Sequence, residues 1–482
     1  MGATEYLWSW LEPLAQRLYE YWPGLAAFIS VVVAVLAMSH AVMNKRDSRA
    51  AAAWTGLIWL LPLVGAVLYL LLGVNRIQRR ARQIVPDSLT DTPDQTPVVQ
   101  PRPQVSHLHT LAELSGRLTG LPLLNGNALA VMDAPEALLA MAAAIDEAQD
   151  SVFLVTYIFG NDDAGRPLVD ALAAAAERGV QVRVLIDGMG ALYTFPSIVR
   201  RLRRRGVIAE RFLYSLAPWR MPYMNLRNHR KVMIIDRRIG FTGGMNLRAG
   251  YVQQPPNIRD LHARIEGPVV EHLLRSFAAD WYFTCREHLN HDYAGTLEAG
   301  SVLARGISAG PDADLGKRRL TLLAAIGSAQ YEVRIMTPYF VPDQTLLTAL
   351  QLACMRGVRV MLLLPGRNNM RLVHWASLHM LPWLVNDGCE LYFSGEPFDH
   401  SKVMTVDGNW ALLGSGNWDA RSLRLNFEFD LECYDVGLVE TLNRKMDIRR
   451  ANARRISLDD MQNQPYLKRL RNGVAYVLEP YL

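Results

Sequence analysis

Two stretches of this chain carry side chains suited to chemistry on a phosphodiester, at matched spacing. The first runs Asn228-His229-Arg230-Lys231, then Val232 to Ile235, Asp236, and Thr242-Gly243-Gly244-Met245-Asn246. The second runs Asp399-His400-Ser401-Lys402, then Val403 to Val406, Asp407, and Gly414-Ser415-Gly416-Asn417. Both follow H-x-K-x4-D, and in both the Asn lies 17 residues beyond the His (229 to 246, 400 to 417). Chance produces one such short pattern easily. It does not readily produce two with the same spacing and a Gly-rich turn before each Asn.

The chemistry follows from the residue types. Lys231, Lys402, Asn246 and Asn417 can hold anionic oxygens and the extra charge of a transition state. Imidazole titrates near neutrality, at roughly 6.5, so one ring can attack phosphorus while the other donates a proton. That division requires their surroundings to push the two rings apart. A single His-Lys pair cannot supply both nucleophile and acid. The duplication therefore has a chemical reason, one active site at the interface of two halves.

The elements that position these groups are legible in outline. Val232 to Ile235 and Val403 to Val406 are largely apolar and β-branched, which predicts buried strands. Residues two apart on a strand share a face, so each His points the same way as its Lys. Asp236 and Asp407 fall on the other face and are expected to brace the site. The Gly-rich turns bring Asn246 and Asn417 back to the Lys side.

The paired motif resembles the signature of the phospholipase D superfamily and, within it, the bacterial cardiolipin synthases. The resemblance runs over nearly the whole chain, including an amino-terminal apolar hairpin. It implies an α/β fold of two phospholipase-D-like repeats forming one active site, preceded by a two-helix transmembrane hairpin. It implies phosphatidyl transfer between two phosphatidylglycerol molecules, giving cardiolipin and glycerol through a phosphohistidine. No metal or other cofactor is expected. His229 is the expected nucleophile and His400 the acid, with the roles open to exchange in so symmetric a site. Each His needs an acidic partner on its far nitrogen; Glu428 in the second half matches the family position, and Asp260 is its counterpart in the first.

Length and composition set outer limits. The 482 residues exceed one small core, and half are hydrophobic, high for a soluble protein and low for a polytopic transporter. A formal charge of +5 suits an anionic partner. Phosphatidylglycerol and an anionic membrane are the expected partners, with no nucleic acid; a homo-oligomer stays open. Cys285, Cys354, Cys389 and Cys433 are scattered and predict free thiols.

Along the chain, residues 1–22 mix Trp and Tyr with charged residues, the pattern of an interfacial amphipathic segment. Residues 23–82 hold two apolar runs, Leu25 to Met43 and Ala50 to Leu72, around a basic turn. The first covers about 28 Å as a helix, close to a hydrocarbon core, and Pro62 should kink the second. This predicts a multi-pass protein of the bacterial inner membrane. The basic residues lean towards a cytoplasmic catalytic region. Residues 83–110 are a Pro-rich linker. Residues 111–295 and 296–482 are the two halves. In each, strand, helix and strand recur before the motif, which predicts a mainly parallel sheet built twice. Two stretches beside the motifs, the basic cluster Arg200 to Arg205 and the aromatic loop Leu216 to Met224, are candidate lipid contacts.

Three functions compete on this reading. Phosphatidyl transfer leads. Hydrolysis by the same site, as a phospholipase D or a membrane-tethered nuclease, is second. An inactive membrane scaffold is third, disfavoured by the intact pairs of His, Lys and Asn.

Overall fold

The computed structural model describes residues 3–45, 48–73, 101–214, 226–253, 257–289, 298–312 and 314–479, with side chains of the first helix described from residue 21 onward. It divides into two compact units, 1–79 and 80–482. The aromatic loop at 216–224 and the linker up to residue 100 lie outside the described residues.

In the first unit the amphipathic stretch and the first apolar run form one continuous helix, Ala3–Asn44. Its portion Tyr21–Asn44 is long and apolar enough to cross a bilayer. The second run is two shorter helices, Ser48–Leu60 and Pro62–Leu68. The break falls where Pro62 lacks an amide proton and its ring opposes a continuous helix. Ala34, Ala37, Ala41, Ala66, Trp54, Ile58 and Tyr69 are packed between these helices. Phe28, Val31, Leu36, Val42, Trp59 and Leu60 face outward. Four of the seven packed residues are alanines, which let the helices approach closely, and the large apolar side chains facing outward are the inverse of a soluble protein's surface.

The second unit is built on one long sheet. From one edge it runs Ile208–Phe212, Gln181–Asp187, Ser151–Thr156, Val232–Ile235, Ile239–Gly243, Leu261–Glu266 and Leu124–Asp133. It continues with Val302–Ala309, Asn426–Tyr434, Trp410–Gly414, Val403–Val406, Glu332–Met336, Arg359–Pro365, Glu390–Ser394 and, at the far edge, Ala453–Ile456. The strands leading to each motif are parallel to one another. The central strands are antiparallel. The sheet is therefore mixed, not mainly parallel. The cause is local: each motif strand turns straight back through a tight hairpin, which forces antiparallel pairing. Asp407 and Gly408 lie at φ 49° and 67°, and Asp236 and Arg237 at 50° and 57°. Two successive positive φ values make the turn whose twist matches a hairpin.

Apolar side chains cover both halves of this sheet. One core gathers Val152, Leu154, Val184 and Ile186 under the helices Ala134–Glu147 and Gly165–Glu177. The other gathers Val333, Ile335, Val360 and Leu362 under Lys317–Ser328 and Gln344–Met355. The expected linker is shorter at its carboxyl end than residue 110. Leu108 is buried, and the helix His109–Thr119 packs by Leu111 and Ala112 into the core of the second half rather than the first.

Candidate active site

Each catalytic-motif His enters the site beside a strand of the opposite half. Arg227–Asn228 pairs in parallel with Asn426–Phe427, and the His229 N–H donates to the Phe427 carbonyl at 2.8 Å. Phe398–Asp399 pairs in parallel with Ile258–Arg259, and the His400 N–H donates to the Arg259 carbonyl at 2.7 Å. Those carbonyls belong to the residues just before Glu428 and Asp260. The acids are thus delivered crosswise. His229 Nδ1 is 2.9 Å from Glu428 Oε2, and His400 Nδ1 is 2.9 Å from Asp260 Oδ2. The sequence identifies both acids but not this exchange between halves.

The lysines sit beside their rings. Lys231 Nζ donates to the His229 carbonyl at 2.7 Å, and its charge lies 5.5 Å from the Tyr157 ring centre. Lys402 Nζ donates to the His400 carbonyl and lies 2.8 Å from His400 Nδ1. Both are buried.

The asparagines are placed by matching bridges after the Gly-rich turns. Leu247 pairs with the chain at Phe159, and Trp418 pairs with it at Phe340. Asn246 Nδ2 donates to Tyr251 Oη at 3.1 Å, and Asn417 Nδ2 donates to Ser422 Oγ at 3.3 Å. Both Oδ1 atoms are buried with no hydrogen-bond partner among the described residues. Each Nδ2 carries a second N–H beyond the one given to the hydroxyl. Each site amide therefore has spare capacity for a ligand oxygen.

Asp236 and Asp407 do not join this cluster. Each lies at the far end of its motif strand, roughly 17 Å from its Lys at about 3.3 Å per residue. Asp236 accepts the N–H groups of Gln149, Asp150 and Ser151. Asp407 accepts those of Gln330, Tyr331 and Glu332, and also bonds His107 at 2.8 Å. They anchor the start of the neighbouring strand and brace it.

Several contributors escaped the sequence reading. Tyr251 Oη is 3.2 Å from His400 Nδ1, linking Asn246 to the opposite half's ring. Ser415 and Ser422 donate to Glu428 at 2.6 and 2.8 Å, and Asn426 Nδ2 donates to it at 3.1 Å. Tyr251 and Ser422 each lie five residues after the site Asn. That shared offset was the available signal. Among the described residues no group of three or more His, Cys, Asp or Glu is placed to hold a metal ion.

Residues 141–281 and 322–449 both match the family described as "Cardiolipin synthase, PLD-like domain". The chain belongs to the cardiolipin synthase family. Residues 27–73 match "Phospholipase_D-nuclease N-terminal". A cardiolipin synthase of Geobacillus kaustophilus is 31% identical over 96% of this chain and 95% of its own length. Cardiolipin synthase A of Pseudomonas putida KT2440 is 31% identical over 96% of this chain and 98% of its own. The major cardiolipin synthase of Bacillus subtilis is 28% identical over 95% of this chain and 99% of its own. Among solved structures, a phosphatidylserine synthase of Haemophilus influenzae overlays with a TM-score of 0.59 at 14% identity. It covers 77% of this chain and 100% of that one, a likeness of fold.

Electrostatics separate the two His–acid pairs of this cardiolipin synthase family member. Burial works to raise Glu428, but His229, Lys231 and the Ser415 hydroxyl outweigh it and hold the carboxyl at about 2. Burial raises Asp260 to about 7, with Lys402 opposing only in part. Asp260 has fewer partners: the Leu261 N–H, which donates to it, and the His400 ring. Burial lowers His229 to about 4 against the pull of Glu428. Burial and then the charge of Lys402 hold His400 well below its ordinary value. Burial lowers Lys231 to about 7 and Lys402 to about 8. Charges of one half act on groups of the other: Lys402 depresses both His229 and Lys231.

Proposed function

We propose that the two halves form one active site for phosphatidyl transfer between two phosphatidylglycerol molecules. The observation that carries this is the crossed pairing of His229 with Glu428 and of His400 with Asp260. Each ring needs the other half's acid, so neither half is a complete site by itself.

His229 is the nucleophile. Its Nδ1–H is held by an ionised carboxylate, which leaves Nε2 with a free lone pair and offsets the positive charge of a phosphorylated ring. His400 is the acid. At neutral pH Asp260 keeps a share of its proton, which it gives to Nδ1, and the ring's Nε2–H is left as the donor. His229 Nε2 attacks phosphorus and the P–O bond to glycerol breaks. The proton from His400 goes to the departing oxygen, so glycerol leaves neutral. His400 then takes the proton from a hydroxyl of the second phosphatidylglycerol. That oxygen bonds phosphorus, the P–N bond breaks, and cardiolipin and free His229 result. Lys231, Lys402, Asn246 and Asn417 hold the non-bridging oxygens.

The same reading makes the chain a multi-pass inner-membrane protein with its catalytic body on the cytoplasmic side. Support comes from the apolar helix Tyr21–Asn44 and the small-residue packing against the second apolar run. Reporter fusions after residues 45 and 482 test it; like-sided signals reject the double crossing.

The activity test is product analysis with purified enzyme in phosphatidylglycerol vesicles. Cardiolipin and glycerol in equal amounts are expected, with an acid-labile phosphoryl adduct on His229 after rapid quench. Phosphatidic acid in place of cardiolipin would indicate a hydrolase.

A further inference from the structure

Parallel strands gather ligand-binding loops at their carboxyl ends. Here the second parallel strand of each half, Gln181–Asp187 and Arg359–Pro365, is followed by a loop that meets the catalytic centre. In the first half, Asp187 accepts the N–H of Asn228, the residue before His229, at 2.7 Å. Further along, Tyr193 packs on Tyr157 at 6.4 Å, and Tyr157 packs on His229 at 5.1 Å. In the second half, Asn368 donates to the Pro338 carbonyl at 2.7 Å, and Tyr339 donates to Asn369 at 2.9 Å. The Tyr339 ring is 6.0 Å from His400.

Both loops then turn apolar side chains to the outside. Phe195 is 97% exposed, and Leu192 and Tyr193 beside it are exposed as well. Met370 and Leu372 are exposed at the matching place in the second half. Exposed arginines flank each group: Arg200 on one side, Arg367 and Arg371 on the other. Exposing this much apolar surface to water is normally avoided by keeping such residues inside. Aromatic and aliphatic tips with guanidinium groups beside them match the boundary of an anionic bilayer, where rings settle among head groups and cations meet phosphate.

We propose that these two lips, Leu192–Phe195 and Met370–Leu372, insert into the anionic leaflet and hold the mouth of the site at head-group level. A lipid then reaches His229 and His400 without leaving the bilayer. This rests on the reading that the substrate is a membrane phospholipid.

The test uses the full-length protein reconstituted into phosphatidylglycerol vesicles. Two double variants remove one lip each: Leu192→Ser with Phe195→Ser, and Met370→Ser with Leu372→Ser. Cardiolipin formation on vesicles should fall roughly tenfold for either, given the interfacial apolar area lost. Turnover of dihexanoyl phosphatidylglycerol, kept below its micellar concentration, should stay within about twofold. Equal losses on both substrates would make the lips structural parts of the site and overturn the proposal, as would no loss on either. A second readout does not depend on turnover. Phe195→Cys, in a Cys285→Ser and Cys354→Ser background, carries an environment-sensitive dye, with Glu440→Cys labelled as the reference. Quenching by nitroxide lipids at 195 but not at 440 is expected. Equal response at both positions rejects insertion, even if the unaltered enzyme forms no cardiolipin; that second result would reject phosphatidyl transfer instead.

Discussion

His229 and Glu428 are 199 positions apart in the chain, and 2.9 Å separates Nδ1 from Oε2. Four donors converge on that carboxylate: the His229 ring, Ser415, Ser422 and Asn426. The result is a buried anion that stays ionised at any working pH and faces the ring proposed to carry the phosphoryl group. Glu428→Gln keeps the shape and removes the charge. The turnover rate should fall roughly a hundredfold or more, because a cationic phosphoimidazole loses its counter-ion, while apparent KM changes little. Steady-state kinetics on phosphatidylglycerol vesicles decide this, and an unchanged kcat would remove Glu428 from the mechanism.

The Gly-rich turns differ between halves for a reason that can be tested. Ser415 donates to Glu428, whereas the matching position is Gly244. A Cβ at Gly244 would collide with the Asp260 carboxylate. Asp260, the shorter acid, occupies the space that a side chain would need. Gly244→Ser should therefore displace Asp260 from His400 and lower kcat by at least about tenfold. Ser415→Ala removes its hydrogen bond to Glu428 and the acceptor of the Phe429 N–H, and should cost only about three- to tenfold in rate. A reversed order of severity would contradict this account.

Asp407 offers the opposite kind of prediction. Its carboxylate is 1% exposed, accepts three backbone N–H groups and bonds His107. Asp407→Ala removes the acceptor of those donors and of His107; water can reach the exposed Gln330 and Tyr331, so the loss is roughly 1–2 kcal/mol of stability. Thermal inactivation of the detergent-solubilised enzyme should begin several degrees lower, with kcat at low temperature within about twofold. A large fall in kcat without loss of stability would give this residue a chemical role and overturn the bracing one.

What the sequence could and could not reveal divides along physical lines. The motif strands were legible because β-branched runs between polar residues specify a buried strand locally. Val232–Ile235 and Val403–Val406 lie within those runs. The hairpin after the second motif was also legible in principle, since Asp407-Gly408 is a turn signal. The first half hides it, because Arg237 stands where Gly408 does and adopts the same positive φ. The crossed pairing has no local signature. It depends on Arg227–Asn228 docking beside Asn426–Phe427, a register set by the whole sheet. Residues 106–110 misled for a similar reason: proline density upstream marks a linker, but only the fold shows Leu108 entering a core.

The contrast between the two acids sets a pH dependence. His229 must be neutral to attack, and its value of about 4 means that activity rises as pH climbs through that region. The His400–Asp260 pair must hold a proton to protonate glycerol, and Asp260 gives that proton up near 7. Lys231 and Lys402 lose their charge near 7 and 8, which weakens the hold on phosphoryl oxygens in the same direction. The profile of kcat/KM should therefore be a bell with its plateau between about 4 and 7. Asp260→Asn separates the contributions. It removes the group titrating near 7, so the remaining alkaline limb belongs to the lysines, on a much lower plateau. The same change should stabilise the fold at high pH. Asp260 has a folded value above its unfolded one, so its ionisation penalises the folded state increasingly as pH rises from about 4 to 7. Asparagine carries no such penalty. A variant that is slower, more heat-resistant at pH 8 and flatter on the alkaline side is expected. Wild-type activity with an unshifted alkaline limb would show that Asp260 does not supply the proton.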